Sequence, residues 1–208
     1  MTASAGSHRR EQRLPSGAQR PRYDLDSLLA VSVQVFTERG YDGTSMENLS
    51  QASGLSKSSL YHHIDSKEQL LRLALERALN PLLASMDEGP ATTGRAVERL
   101  RYLIRRDVEI LVDQLPYVML LLRVHGNTET ERWALGQRRS FDKMVAGLVQ
   151  DAIDQGDVRS DVDARTTARL IFGTINSLLE WYRPSSDQTP DELAKQISSM
   201  VFEGIGSH

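Results

Sequence analysis

Apolar residues recur every three or four positions along most of this chain, which is the spacing of one face of an α-helix. One such stripe runs from Leu28 to Phe36, and another runs from Val97 to Leu111. No stretch shows the alternation of apolar and polar residues that is typical of a half-buried β-strand, and the chain contains no internal repeat. The pattern therefore predicts an all-α fold.

Residues that favour helix ends divide the chain into separate helices. Ser66 with Gln69, and Thr128 with Glu131, have the spacing of a capping box, in which two side chains satisfy the free backbone groups of a helix start. Pro81 is expected to kink or end the helix that follows Ser66, because proline lacks the N–H donor. The later helices are predicted at approximately residues 93–113, 116–126, 128–156, 163–183 and 189 onwards, with a break at residues 89–90.

The segment of residues 44–71 predicts two short helices joined by a tight turn. Thr44 or Ser45 can cap the first helix, because a short hydroxyl side chain accepts a hydrogen bond from a free backbone N–H. Gly54 then ends the helix, since the left-handed conformation costs glycine no Cβ clash. The buried face of this first helix is expected to carry Met46, Leu49 and Ala52.

The second short helix is small and polar. Ser56 is placed to cap it, and it is predicted to continue to His63. Only Leu60, and Ile64 directly after the helix, need to be buried. A helix–turn–helix whose second helix has this character is suited to entering the major groove of DNA. The remaining positions of the second helix are Lys57, Ser58, Ser59, Tyr61, His62 and His63.

The wider segment from Tyr23 to Leu71 resembles the DNA-binding domain of the TetR family of bacterial transcriptional regulators. Ile64 is one departure, because the family more often has phenylalanine there, and the exchange keeps an apolar residue in a packing role. The residues that match the family pattern in order are Phe36, Gly40, Tyr41, Thr44, Ser45, Ala52, Gly54, Tyr61, Lys67 and Glu68.

This resemblance implies DNA-binding roles for individual residues. Phosphate contacts are implied for Tyr61, Lys67 and either Thr44 or Ser45, and the backbone amides at Ser45 and Ser56 can add to them. Such contacts would position the second helix, whose other polar side chains can read base edges. The alternative is that these side chains form an ordinary solvated helix face. The candidates for reading bases are Lys57, Ser58, Ser59 and His62.

The chain is predicted to have three parts. Residues 1–22 form a basic flexible arm, residues 23–70 form the helix–turn–helix DNA-binding domain, and residues 71–208 form a larger helical domain for ligand binding and dimerisation. The family resemblance implies that the last two helices pack against those of a second copy. From the residues alone, their apolar positions could equally form the core of a monomer.

Charge is distributed unevenly, although the net charge is only −3. The arm of residues 1–22 carries five arginines against the single acid Glu11. A basic arm ahead of a helix–turn–helix suits phosphate contact. The alternative is a solvated, disordered leader with no contact to DNA.

Several classes of protein are excluded by what the sequence lacks. There is no cysteine, so disulfides, thiolate nucleophiles and cysteine zinc sites are impossible. No signal peptide and no apolar stretch long enough for a membrane span is present, which favours the cytoplasm. No cofactor is expected, no enzyme motif is found, and the adjacent His62 and His63 diverge too far on a helix to make a metal site.

The larger domain holds polar and aromatic residues in apolar contexts. These residues could line a cavity that has a mainly apolar wall and a few polar contacts, or they could simply fill the core. The candidates for ligand binding are Tyr117, Met119, Arg123, His125, Trp133, Phe172, Asn176, Glu180 and Trp181.

The sequence therefore predicts a homodimeric repressor that a small molecule releases from a near-palindromic DNA operator. The rival class is a helical interaction or adaptor protein with no role on DNA. Residues 115–142 look similar to family members that control the catabolism of aromatic or fatty acids, which implies an acyl-CoA thioester as inducer. A hydrophobic drug-like inducer is the competitor. The arginines that could bind the CoA phosphates are Arg105, Arg106, Arg123, Arg138 and Arg139.

Overall fold

The computed structural model describes residues 24–205, so the basic arm of residues 1–22 lies outside the described residues. Within that range the fold consists of α-helices with one short 3-10 turn and no β-ladder, which confirms the predicted all-α class. None of these helices combines the length and apolar character that a bilayer crossing requires.

The amino-terminal module is built from α1 (Leu25–Arg39), α2 (Met46–Ser53) and α3 (Lys57–Tyr61). Each helix contributes fully buried side chains to one small core, and burial of a leucine or phenylalanine stabilises a fold by about 1.5–3 kcal/mol. The buried residues at its centre are Leu28, Phe36, Leu49 and Leu60.

Caps and glycines fix the ends of these helices as the sequence indicates. Ser45, not Thr44, caps α2, and its side chain and that of Asn48 form a capping box. Gly54 ends α2 with φ at +68°, in the left-handed region that favours glycine. At Gly43 a Cβ atom would lie 2.7 Å from the carbonyl oxygen of Arg39, so the turn between α1 and α2 requires a glycine.

Helix α4 (Lys67–Ala84) connects the amino-terminal module to the rest of the chain. Pro81 lies inside it, and the helix continues for one more turn before the 3-10 turn Ser85–Asp87. The predicted boundary between residues 70 and 71 falls within α4. This helix is therefore shared by both modules.

The larger module contains seven further helices among the described residues. Helix α8 (Glu129–Asp154) packs against α6 (Ala96–Asp113) and α9 (Ala164–Asn176), and α11 (Pro190–Ile205) packs against α6. Predicted caps are present at Thr128, Asp163 and Thr189. The helices are α5 (Gly89–Thr92), α6 (Ala96–Asp113), α7 (Leu115–Arg123), α8 (Glu129–Asp154), α9 (Ala164–Asn176), α10 (Leu178–Trp181) and α11 (Pro190–Ile205).

Some helix predictions were wrong in detail. Residues 89–90 begin α5 because proline is tolerated in the first turn of a helix, so the chain is not simply broken there. The helix predicted for residues 163–183 is interrupted at Ser177. The buried face of α2 carries Ser53 and leaves Ala52 exposed, because the Ser53 hydroxyl can donate to the Leu49 carbonyl, 2.7 Å away, and need not face water.

Three polar contacts join the two modules. Arg123 at the end of α7 donates to the Thr37 carbonyl of α1 at 2.9 Å. Asn127 donates to Asp42 at 2.9 Å, and Thr130 at the start of α8 donates to Glu68 of α4, also at 2.9 Å. The larger module therefore holds α1, the turn that follows α1 and the start of α4.

Candidate DNA interface and ligand cavity

Helix α3 presents a polar surface around one buried anchor. Leu60 is fully buried, whereas Lys57, Ser58 and His62 are exposed and Ser59 is half-buried. Tyr61 is 54% exposed, which is unusual for a large aromatic side chain in a small domain. A single anchor surrounded by exposed polar groups leaves the helix free to meet a polar partner such as a DNA groove.

The start of α3 is held by its own serines. The Ser59 N–H donates to the Ser56 hydroxyl oxygen at 3.1 Å, and the two hydroxyl oxygens lie 2.9 Å apart. The cap fixes a helix of only five residues that could not be stable alone. It also means that the hydroxyls of Ser56 and Ser59 already have partners before any DNA arrives.

Lys57 forms an ion pair with Glu47 on α2, with 2.6 Å between the charged atoms. The hydrogen bond and charge of Lys57 lower the pKa of Glu47, and the same contact raises the pKa of Lys57. Both side chains are more than half exposed, and an exposed pair of this kind contributes little to stability. Lys57 can therefore exchange Glu47 for another partner at low cost.

Lys67 and Thr44 occupy a different position from the other DNA-binding candidates. The Lys67 ammonium donates to the carbonyl oxygens of Tyr41 and Thr44 at 2.8 and 2.7 Å and lies 4.1 Å above the Tyr41 ring. Thr44 is buried, and its hydroxyl donates to the Gly40 carbonyl at 2.7 Å. Burial and nearby carboxylates raise the pKa of the Tyr41 phenol to about 12. The geometry makes Lys67 a clamp on the turn between α1 and α2.

The second short helix was predicted to continue to His63, but it ends at Tyr61 and leaves His63 beyond it. The side chain is exposed because α3 ends at Tyr61 and the chain turns away before Ile64, which takes the buried position. Ser45, another candidate for phosphate contact, is also exposed. Residues 24–205 contain no cluster of three or more side chains that could hold a metal ion.

The larger module encloses a cavity of about 230 Å³ between α4 and α6 to α9. Its apolar wall comes from all five helices, and four charged side chains and one amide interrupt it. The lining residues are Ala78, Leu82, Asp107, Ile110, Val118, Leu121, Leu122, Arg138, Phe141, Asp142, Arg169, Phe172, Gly173 and Asn176.

Burial in the cavity wall shifts the pKa values of its charged side chains. Burial, and secondly the charge of Asp142, raise the pKa of Asp107 to about 7. Burial also raises the pKa of Asp142, against the opposing charges of Arg138 and Arg169. Burial lowers the pKa of Arg138. Desolvation disfavours each charged form, which indicates groups that lack full compensation inside the protein.

A cationic groove adjoins the cavity. It has a volume of about 230 Å³ and shares Asp142 and Arg169 with the cavity wall. Arg139, Lys143 and Arg165 complete its charged lining. An apolar chamber that opens beside four cations can accept a ligand with an apolar end and a strongly anionic end.

The structure brings only two of the predicted ligand-binding residues to the cavity, Phe172 and Asn176. Arg123 instead contacts α1, and Trp133 lies beneath the guanidinium of Arg72, 3.3 Å from its ring centre. Trp181 is 53% exposed on the surface. The other predicted residues that do not line the cavity are Tyr117, Met119, His125 and Glu180.

Asp107 is one of the charged cavity residues that the sequence did not predict. A signal was present, because Asp107 lies three residues after the buried Ile104 and four before the buried Leu111. That spacing places the carboxyl on the apolar stripe of α6, where a charged group is unfavourable unless it has a binding partner.

The last helices leave large apolar side chains in solvent. Leu170 on α9 is 66% exposed and Met200 on α11 is 58% exposed. The other apolar residues of these helices, such as Ile171 and Leu193, are buried within the chain. The described residues therefore include apolar surface on α9 and α11 that a second protein surface could cover.

Two family models match this chain. Residues 28–74 match the model described as bacterial regulatory proteins of the tetR family. Residues 93–205 match the model described as the tetracyclin repressor-like C-terminal domain. Together they span the helix–turn–helix and the module that holds the cavity.

Individual relatives agree with these matches. The crystal structure of a TetR-family transcriptional regulator from Streptomyces coelicolor A3 superposes with a TM-score of 0.82 at 55% identity, over 90% of this chain and 93% of that chain. The HTH-type transcriptional repressor KstR2 of Rhodococcus jostii is 29% identical, over 86% of this chain and 90% of its own length.

A further structure is that of AibR in complex with isovaleryl coenzyme A and operator DNA. It superposes with a TM-score of 0.71 at 25% identity, over 85% of this chain and 97% of that chain. The predicted class of helix–turn–helix transcriptional regulator is confirmed. The chain belongs to the TetR family of bacterial transcriptional regulators.

Proposed function

We propose that this chain is a homodimeric repressor that an acyl-CoA thioester releases from a near-palindromic DNA operator. The observation that carries the proposal is an apolar cavity beside a cationic groove, built on helices that also hold the DNA-binding module. In this proposal the chain acts in the cytoplasm and by binding alone, without a catalytic step.

The DNA-binding part rests on α3. Lys57, Ser58 and His62 stand exposed around the buried Leu60 and would face base edges, while Tyr61 would reach a phosphate. Ser45 and Ser56 cap the two helices, and the free amides there suit phosphate oxygens. Lys67 and Thr44 act in this proposal through the shape of the turn, because their polar side-chain atoms already have partners.

The ligand part rests on the cavity and the groove together. The apolar wall would hold an acyl group, and the groove would hold phosphates of coenzyme A, since guanidinium groups pair well with phosphate oxygens. Arg139 belongs to the set of arginines expected from the sequence, and the groove adds Lys143, Arg165 and Arg169. Arg105, Arg106 and Arg123 line neither space, so the proposal gives them no contact with the ligand. The likeness to AibR, which was crystallised with isovaleryl coenzyme A and operator DNA, supports this ligand class.

Coupling between the two sites would run through α4, α7 and α8. Each of these helices lines the cavity. Helix α4 contacts the amino-terminal module through Lys67, α7 contacts it through Arg123, and α8 contacts the start of α4 through Thr130. A ligand that favours one arrangement of these helices shifts the population of the DNA-competent form.

Dimer formation would use α9 and α11. Leu170 and Met200 are the large apolar side chains that these helices leave in solvent, and a second copy would cover them. Two α3 helices related by a two-fold axis would then meet successive major grooves of a near-palindromic site.

Fluorescence anisotropy with a labelled duplex from the protein's own upstream region tests the proposal. Specific binding should survive competitor DNA and should fall when isovaleryl-CoA is added, but not when coenzyme A or isovalerate is added alone. The double variant Lys143→Gln, Arg165→Gln should weaken the thioester response, while Arg159→Gln, an exposed arginine outside the groove, should not. If no duplex from this region is bound in preference to competitor DNA, an adaptor role is favoured. If DNA binding responds to lipophilic cations alone, an acyl-CoA thioester is excluded as the inducer.

A further inference from the structure

We infer that the acyl group taken by the cavity is short and carries a hydroxyl substituent, which Asp107, Arg138 and Asn176 recognise. The inference rests on the proposed function and names the class of acyl group that the same site selects. It comes from polar groups of the cavity that have no adequate partner in the protein.

These three side chains reach one cavity from three different helices. Asp107 comes from α6, Arg138 from α8 and Asn176 from α9. Because separate helices supply them, their convergence depends on the packing of the whole module and not on one helix face. The rest of the wall around them is largely apolar, with Leu122, Phe141 and Phe172 among its members.

The protein leaves these groups without adequate partners. Within residues 24–205 no carboxylate oxygen lies within 4.0 Å of the Arg138 guanidinium, whose contact with the Leu121 carbonyl is long at 3.5 Å. Over the same residues the side chains of Asp107 and Asn176 make no hydrogen bond. These side chains are half-buried in a largely apolar wall, so a polar set that converges there without protein partners indicates a ligand that supplies them.

The mixture of charges selects a neutral group that both donates and accepts. Charges of both signs line the site, so an amine or a carboxylate on the ligand would meet a like charge as well as an opposite one. A ketone only accepts hydrogen bonds, so it would leave the Asp107 carboxyl without a donor whenever that carboxyl is ionised. A hydroxyl donates to Asp107 and accepts from Arg138 or Asn176, so it satisfies both sides.

The size of the cavity limits the acyl group. Its volume of about 230 Å³ lies below the range of roughly 300–1,000 Å³ that is common for pockets of drug-sized ligands. The groove provides separate space for the anionic carrier. A short hydroxyacyl chain, of the length of 3-hydroxybutyryl, fits these limits better than a long fatty chain.

Isothermal titration calorimetry on the full-length protein tests the inference with matched ligands. The probes are butyryl-CoA and 3-hydroxybutyryl-CoA, together with the same two acyl groups as thioesters of N-acetylcysteamine, which lacks the phosphates. The hydroxyl should improve affinity about 10- to 100-fold in both carriers, which is the usual effect of a hydrogen bond to a charged group.

Substitution of Asp107 should remove this preference without removing binding. In Asp107→Leu the two butyryl ligands should bind as well as before, and the hydroxyl should no longer help. Asp113→Asn is the matched control, because Asp113 is an exposed carboxylate on the same helix outside the cavity. It should keep the full preference, and circular dichroism should show that both variants remain helical.

The outcomes separate this inference from the proposed function. Equal affinity for butyryl and hydroxybutyryl ligands, or a preference that survives in Asp107→Leu, overturns the inference and leaves the thioester proposal intact. A hydroxyl preference seen only in the N-acetylcysteamine thioesters supports the inference and overturns coenzyme A as the carrier. Binding of none of the four ligands overturns the inference, and the isovaleryl-CoA titration then decides the thioester proposal separately.

Discussion

Glu68 on α4 accepts a hydrogen bond from the Thr130 hydroxyl at the first turn of α8, with 2.9 Å between the oxygen atoms. The Thr130 N–H points to the same carboxylate oxygen at 3.4 Å. Glu68 follows directly after Lys67, which clamps the turn before α2. The contact therefore joins the start of a cavity helix to the residue beside the clamp.

Thr130→Val should weaken the communication between ligand and DNA. The valine keeps the shape of threonine, but its side chain cannot donate a hydrogen bond to Glu68. A shift of α8 would therefore no longer act on α4 through the hydroxyl bond. In the wild type we expect the ligand to lower DNA affinity by a factor in the range of about 5- to 150-fold that is typical of allosteric coupling. In Thr130→Val this factor should be smaller.

Anisotropy titrations at zero and saturating ligand measure that factor. Thr92→Val is the control, because Thr92 is an exposed threonine outside the contact between the modules. Loss of ligand affinity in Thr130→Val with an unchanged coupling factor would contradict the assigned role.

Glu47→Gln should strengthen DNA binding. Lys57 then loses its partner on α2 and is free to meet a phosphate or a base edge, and a negative charge leaves the surface that faces DNA. Removal of a charge interaction across about 4 Å of water corresponds to roughly a fivefold gain in affinity.

The salt dependence provides a second measurement of the same change. The slope of log affinity against log salt should steepen by about 0.9 if Lys57 gains one phosphate contact. Glu98→Gln makes the same charge change on α6 of the larger module and should alter neither quantity. An unchanged affinity in Glu47→Gln would remove this ion pair from the DNA-facing surface.

Ser59→Asp should abolish specific DNA binding and leave the fold intact. Ser59 is the third residue of α3, where an acid is favourable because the helix start carries partial positive charge. The same carboxylate would face the phosphates of DNA. Thr166→Asp, at the third residue of α9, is a matched control for the helix and should bind DNA as the wild type does. Gel-shift assays and circular dichroism separate the two effects, and retained specific binding in Ser59→Asp would place α3 outside the groove.

Leu170→Glu combined with Met200→Glu should produce a monomer. Each glutamate would bring a charge into the apolar surface that a second copy is proposed to cover, and a buried unpaired charge is strongly unfavourable. Light scattering after size-exclusion chromatography measures the mass directly. Leu25→Glu, which changes an exposed leucine on α1, should stay dimeric. A double variant that keeps the wild-type mass would move the interface elsewhere.

The stability of the protein should depend on pH through Asp107. Burial raises the pKa of this carboxyl to about 7 in the folded chain, well above the 3.8 that is usual for an aspartate. Between about pH 4 and pH 7 the folded state therefore binds more protons at this group than the unfolded state does, so the free energy of unfolding falls as pH rises. Above about pH 7 the titration of Asp107 lowers the free energy of unfolding no further.

Asp107→Asn should remove that dependence. The free energy of unfolding of Asp107→Asn should equal that of the wild type at pH 4. It should exceed the wild-type value by a margin that grows towards pH 7. Urea titrations at several pH values measure the difference, and Asp113→Asn serves as the control. A difference that does not change with pH would mean that Asp107 titrates normally.

The sequence predicted the helices better than it predicted what they enclose. Caps at Ser45, Ser56, Thr128 and Asp163 were recognisable because a cap depends on residues within one turn of the chain. The exact length of α3 could not be recognised from the sequence, because the end of this helix depends on the burial of Ile64 in the core.

The cavity could not be predicted to the same extent. Its wall combines residues from five helices, and a rotation of any one helix by one position would change which side chain faces inward. Trp133 and Arg123 were reasonable candidates by residue type, yet each has a partner in the amino-terminal half of the chain. Asp107 was detectable only from its place on an apolar stripe.

The continuity of α4 has a consequence for protein engineering. Hybrid regulators are made by joining the operator-reading part of one chain to the sensing part of another. A junction at residues 70–71 would divide α4 between two parents, whereas one between the 3-10 turn and α6 would keep it whole. Even that hybrid would carry Ala78 and Leu82 of the cavity wall with the operator reader. Part of the effector preference should therefore follow the DNA-binding parent into the chimera.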